Sequence, residues 1–264
     1  MTLPEELAGL RDKIAATKRT YIAVEATPGE TPTLKESKLG GYPAIPKGYE
    51  YPKDSDGNYL FPLAQINFAE LPPLEGYPTS GTIQFYISAN DDVYGMNFDD
   101  AQDQKDFRVL FFEESELLQP EDDFGFLEET MAEQETPIPN SYTLKFSLQE
   151  EYIGMMDYRG GKNNKELQLE EFLQGVTPKE ETKLEEILYS DYLSSGHKIG
   201  GYAFFTQYDP RDENGTGTDY IMLLQIDSKD DIMWGDSGVA NFFIHPDDLA
   251  KRDFSKVLYN WDCC

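Results

Sequence analysis

Cysteine is nearly missing from this chain: the only two are Cys263 and Cys264, at its end. With no other thiol to pair, a disulfide framework is excluded. Histidine is as scarce, and His197 and His245 with one distant cysteine pair do not make zinc-ligand spacing, so no metal and no cofactor is expected. No apolar run approaches the roughly 18 residues of a membrane helix. The opening MTLPEELAGLRDKIAATK carries early acids and no apolar stretch, so it does not read as a signal peptide, and a cytoplasmic protein is the expectation. Neither a Gly-x-x-x-x-Gly-Lys phosphate loop nor a dinucleotide-binding glycine fingerprint is found. Basic residues are also few, 22 against 50 acids in 264 residues, a net charge of −28. Such a charge solvates the surface and argues against nucleic acid and membrane surfaces. It favours a basic protein partner or a cation.

What is present is repetition. SKLGGY at 37–42 returns as HKIGGY at 197–202. From Gly41 to Gln65 is 24 residues, and from Gly201 to Gln225 is again 24, so YLFPLAQIN and YIMLLQID align at an offset of 160. GTIQFYIS at 81–88 resembles GVANFFIH at 238–245, with the offset reduced to 157. The chain reads as an internal duplication of two half-domains rather than a solenoid. Gly-Gly permits a left-handed or closely packed backbone. The apolar runs before Gln65 and Gln225 read as strands covered on both faces, and a buried glutamine there must find partners.

Around the copies, Thr2, Pro4 and Glu5 with Leu7, Leu10 and Ile14 predict a helix over 2–18, and YIAVEAT at 21–27 a strand. Between 99 and 135 lie fourteen acids against Lys105 and Arg108. FRVLFFEE and YTLKFSL read as strands, and 165–174 and 178–193 as helices. This mixture, without a regular βαβ rhythm, predicts an α+β fold: a complex mixed sheet arrangement built from the duplication, with peripheral helices. The expected organisation is an N-terminal helix and strand (1–36), a first repeat half with the acidic insertion (37–150), and a helical linker with the second half (151–264), forming one unit.

WGDSG at 234–238 surrounds a serine as in trypsin-like proteases, but a triad needs a base and an orienting acid in the right geometry, and neither histidine is placed for it. It reads as a tight turn. KDSDGNY and DPRDENGTGTD fail the calcium-loop pattern and read as hairpin loops, with a weak cation site as the lesser alternative. Taken together, KLGGYPAIP, LAQIN, the strand at 81–88, HKIGGY, LLQID, WGDSGVANFFI and HPDDLAKRDFSKV resemble the YwqG-like family of bacterial proteins. That resemblance implies a duplicated α+β fold and supplies no activity. It also suggests a toxin-associated or immunity-like binding role.

The functional expectation is a non-catalytic binding protein, rather than an enzyme, with partner contacts at Glu121, Asp122 and Asp123. The alternative is a small-molecule or peptide pocket between the halves, with or without a reaction, drawing on Trp234, Asp236, His197, Gln65 and Gln225. The unequal excursions of the two copies offer a surface for a homodimer.

Overall fold

The structure, a computed structural model, describes residues 5–29, 31–132, 136–159, 171, 174, 177–191, 194–213 and 217–264. Each Lys-aliphatic-Gly-Gly-Tyr word forms a short strand that breaks at its glycines, which take positive φ: 62° and 72° at Gly40 and Gly41, 76° and 80° at Gly200 and Gly201. The strands are β1 (Arg19–Pro28), β2 (Lys38–Leu39), β3 (Phe61–Asn67), β4 (Thr82–Ile87), β5 (Phe107–Phe112), β6 (Tyr142–Glu151), β7 (Lys198–Gly200), β8 (Ile221–Asp227), β9 (Val239–Ile244) and β10 (Leu258–Asp262). They form one sheet in the order β10-β9-β8-β7-β1-β6-β2-β3-β4-β5, with every described strand pair antiparallel.

The fold is therefore mainly β, and the α+β expectation is corrected. The described helices are short apart from Pro178–Asp191. The expected N-terminal helix is a 3-10 turn, Glu5–Leu10, followed by six α-helical residues, Arg11–Ala16. In the acid-rich stretch 99–135 the strand expected at FRVLFFEE is present as β5, and the other described residues form turns, a 3-10 turn at Gly125–Leu127 and one four-residue helix, Glu128–Met131. The helical stretch expected at 165–174 lies almost wholly outside the described residues. The strand expectations at 21–27, 59–67, 81–88, 142–148, 220–227 and 238–245 hold, whereas β10 was not anticipated.

The duplication is visible in the pairing. Each copy contributes five strands, β1–β5 and β6–β10. Their register breaks at matching places, between Pro62 and Ala64 and between Met222 and Leu224. The first strands are exchanged: β1 lies beside β7 of the second copy and β6 beside β2 of the first, while β1 and β6 pair over ten residues at the centre. Ala23 faces Lys198 as Thr143 faces Lys38, and Ala23 also faces Ser147 as Thr143 faces Thr27. The central register is thus its own image under the repeat, a pseudo-two-fold between β1 and β6.

Antiparallel strands twist, and here the two arms meet face to face. Phe85 of β4 packs on Phe242 of β9 at 4.8 Å between ring centroids, and Phe107 of β5 on Tyr259 of β10 at 5.1 Å. This shared interior is the main core. A second apolar layer covers the outside of each arm, built around Tyr51, Tyr86 and Phe112 in one and Phe205, Met222 and Phe243 in the other. Coverage on both faces explains why β3, β4, β8 and β9 are almost wholly buried.

Candidate functional site

Gln65 and Gln225 do the same work in the two arms. The Gln65 Nε2 donates to the carbonyls of Leu34 and Glu36, both at 2.8 Å, and its Oε1 accepts from Ala44 N at 2.7 Å. The Gln225 Nε2 donates to Ser194 O at 3.0 Å and Gly196 O at 2.8 Å, and its Oε1 accepts from Phe204 N at 2.9 Å. Every partner is displaced by 160 residues. These amides clamp the segments around each Gly-Gly turn to the sheet, and their donors are spent there. Four strands separate β3 from β8, so the two glutamines do not share a pocket.

The neighbouring lysines, which sequence reasoning passed over, solve one problem in two ways. Lys38 is 2% exposed, and its Nζ donates to the carbonyls of Thr33 (2.6 Å), Leu34 (2.9 Å) and Tyr42 (3.1 Å). Burial pulls its pKa down to about 8, because carbonyl dipoles do not fully replace water around an ammonium. Lys198 donates to both oxygens of Glu151, at 2.8 and 3.1 Å, and Glu151 also accepts from Tyr202 N at 2.6 Å. Burial lowers this lysine's pKa too. The usable signal was the lysine's presence in both copies of the word.

A buried ionic cluster was equally unforeseen. Arg211 is fully buried, with its guanidinium on Asp157 at 2.9 Å and Asp209 at 2.6 Å. Arg159 reaches Asp157 at 2.7 Å from its partly exposed side. Burial opposes Asp157's charge, but the two guanidiniums prevail and hold it well below the usual carboxylate range. Asp157 also accepts from Ala203 N at 3.0 Å, so the cluster ties the segment after β6 to the second Gly-Gly turn.

The remaining candidates separate. Trp234 is fully buried against Tyr94 (5.7 Å) and Trp261 (6.0 Å). It occupies the place of Tyr77 in the other copy, whose hydroxyl donates across the halves to Met222 O. Asp236 is exposed in the turn closed by Gly238 N donating to Trp234 O at 2.7 Å. His197 takes the place of Ser37: its Nδ1 accepts Asp227 N at 3.0 Å, as the Ser37 hydroxyl oxygen accepts Asn67 N at 2.9 Å. Burial, reinforced by Lys229, lowers the His197 pKa to about 4. This histidine lines a groove of about 510 Å³ along β1 and β6, where the halves meet. Of the five candidates, His197 alone lines this groove among the described residues.

Glu121, Asp122 and Asp123 lie on the outside of the first arm. Glu121 N donates to Ile45 O at 2.8 Å, and its carboxylate accepts from the next two backbone amides, which lowers its pKa. Asp122 and Asp123 are exposed. Around them the surface is aromatic: Tyr42 stacks on Phe124 at 5.0 Å, Phe126 packs against Tyr51 and Tyr59, and Tyr49 stands edge-on to Phe112. Tyr42, Tyr49, Phe126 and Leu118 keep 38–70% of their surface exposed.

A family model described as a domain of unknown function, DUF1963, matches residues 37–263. The chain belongs to that family. No curated protein matches it. Among the described residues, no helix is long and apolar enough to cross a membrane.

Proposed function

We propose that this is a non-catalytic binding protein of the bacterial cytoplasm, allied within its family to the YwqG-like proteins, that recognises a basic protein partner. The observation that carries this reading is the outer face of the first arm, where exposed Tyr42, Tyr49, Leu118 and Phe126 accompany the acids Glu121, Asp122 and Asp123. Aromatic anchors ringed by charge are what protein interfaces use. A net charge of −28 steers a basic partner toward such a face. The resemblance to YwqG-like proteins points to a toxin-associated partner. The amides and ion pairs inside the sheet are committed to holding the fold, which favours recognition over reaction.

The test is capture on the immobilised chain beside a variant carrying Glu121→Lys, Asp122→Lys and Asp123→Lys. The expected result is one stoichiometric basic protein that is retained at low salt, released at high salt, and lost with the triple variant at unchanged Tm. Capture that the charge reversal or salt leaves unaltered would overturn the reading.

A further inference from the structure

The central strand pair carries two grooves related by the pseudo-two-fold. One, of about 400 Å³, is lined by Glu36, Ser37, Glu70, Thr143 and Leu144. The other, of about 510 Å³, is lined by Tyr21, Ala23, Lys145, Ser147, His197 and Lys229, among others. Ala23 and Thr143 match under the repeat, as do Ser37 and His197, so these are two versions of one place.

Their chemistry is opposite. In the first groove the chain answers its own donors. The Glu70 carboxylate accepts Ser37 N at 3.0 Å, and Glu36 accepts Thr33 N at 2.6 Å. In the second groove, Glu70's counterpart at the offset of 160 is Asp230, but the residue that lines the space there is Lys229, while Asp227 accepts Gly196 N at 2.6 Å. The Nδ1 of His197 is occupied as an acceptor, so the ring proton sits on Nε2. His197 is only 6% exposed as a whole, but its Nε2–H is not sealed in: it opens onto the groove, with no described side chain as its acceptor. Lys145 and Lys229, both exposed, border the same space, and Ser147 and Ser195 add hydroxyls.

We propose that the groove between β1, β6 and the start of β7 binds a compact oxyanion, a carboxylate or a phosphate. The anion accepts from the His197 Nε2–H and is flanked by the Lys145 and Lys229 ammonium groups. Ala23 and Ser147, opposite each other in register, make a floor of small side chains, and Tyr21 adds a wall. The opposing charges are Glu25, across from Lys145, together with Asp227 and Asp230 beside the histidine. Beyond the groove, the negative charge of the rest of the surface is screened over about 10 Å at 0.1 M salt. The site is independent of the acidic outer face.

Because the chain holds only two histidines, imidazole NMR reads the site directly. His245 is the internal control, since its Nδ1 accepts Asp247 N at 3.2 Å at the start of a helix away from the groove. Inorganic phosphate and succinate are titrated separately at constant ionic strength. The expected result is a saturable shift of the His197 signals with His245 unmoved, weakened at least about tenfold when Lys145→Ala and Lys229→Ala are combined. Tighter phosphate assigns the phosphate class, and tighter succinate the carboxylate class. Unsaturable or equal shifts at both histidines, or an affinity that the double variant retains at unchanged Tm, would overturn the proposal.

Discussion

Tyr51 and Arg211 stand at the same place in the two copies, 160 residues apart. Both are buried under the outer layer of their arm, and both lie on the matching aromatic. Tyr51 is edge-on to Tyr86 at 5.5 Å, and the Arg211 guanidinium sits over Phe243 at 4.1 Å. The duplication has kept a flat group on a ring and changed its charge. An uncharged phenol needs one acceptor, and Tyr51 finds Leu60 O at 3.1 Å. A buried guanidinium needs carboxylates, and Asp157 comes from the segment between β6 and β7. In the first copy only nine residues separate β1 from β2, and in the second 46 separate β6 from β7. The longer connection supplies the counter-charge, so the difference in loop length and the difference in core chemistry go together.

Breaking this comparison at its strongest point gives the largest effect. Arg211→Met leaves Asp157 and Asp209 buried without their main partner and is expected to cost about 3–5 kcal/mol in urea denaturation. Tyr51→Phe removes one neutral hydrogen bond and is expected to cost about 1 kcal/mol. Equal costs would mean that the ionic cluster contributes no more than the ring it replaced.

His197 and Ser37 sharpen the comparison through pH. The His197 pKa of about 4 lies below its unfolded value near 6.5, so the unfolded chain binds the proton more readily. The stability this neutral histidine allows is present above pH ~6.5, falls as pH drops, and is lost below about 4. His197→Ser, which copies the first half, is therefore expected to unfold less readily in acid. Its advantage relative to the original chain grows by up to about 3 kcal/mol between pH 7 and 4. Parallel acid-denaturation curves for the two proteins would refute the buried, neutral assignment.

The smallest contrast lies at the turns. Alanine at Gly41 or Gly201 takes a left-handed backbone costing about 1–2 kcal/mol. At Gly41 the new Cβ meets the Ser141 Oγ at 2.7 Å, a side chain free to rotate. At Gly201 it meets the Glu151 Oε1 at 1.9 Å, and Glu151 cannot yield without releasing Lys198 and Tyr202. Gly201→Ala is expected to lower stability by about 1 kcal/mol more than Gly41→Ala, read from their denaturation midpoints.

The candidate residues were legible in proportion to how local their roles are. Gln65 and Gln225 could be found because each ends an apolar strand at a repeated spacing, and a buried amide there must bond. Trp234 and Asp236 could be read as a turn because WGDSG carries its own geometry. The spacing of the glutamines does not report that four strands stand between β3 and β8, so the sequence could not say how far apart Gln65 and Gln225 lie. Arg211 and Lys38 were missed because composition marks charged residues as surface, and only the carbonyls and carboxylates of distant segments let them be buried. The α+β expectation erred because it gave the helices a share of the architecture that the sheet takes: the N-terminal stretch forms only a 3-10 turn and six α-helical residues, the helix expected at 178–193 is present as Pro178–Asp191, and the ten strands of one sheet bury the core between themselves.

The amino-acid sequence by itself determined the duplication, its offset of 160 closing to 157, the Gly-Gly breaks, and strands apolar on both faces. These are local properties of spacing and side-chain chemistry. Only the tertiary structure decided that β1 and β6 change places, that the arms close on one core, and that the matched grooves carry opposite charge. An exchanged strand makes the same backbone hydrogen bonds with either neighbour, so its own residues do not name its partner. That choice rests on what the two arms bury together.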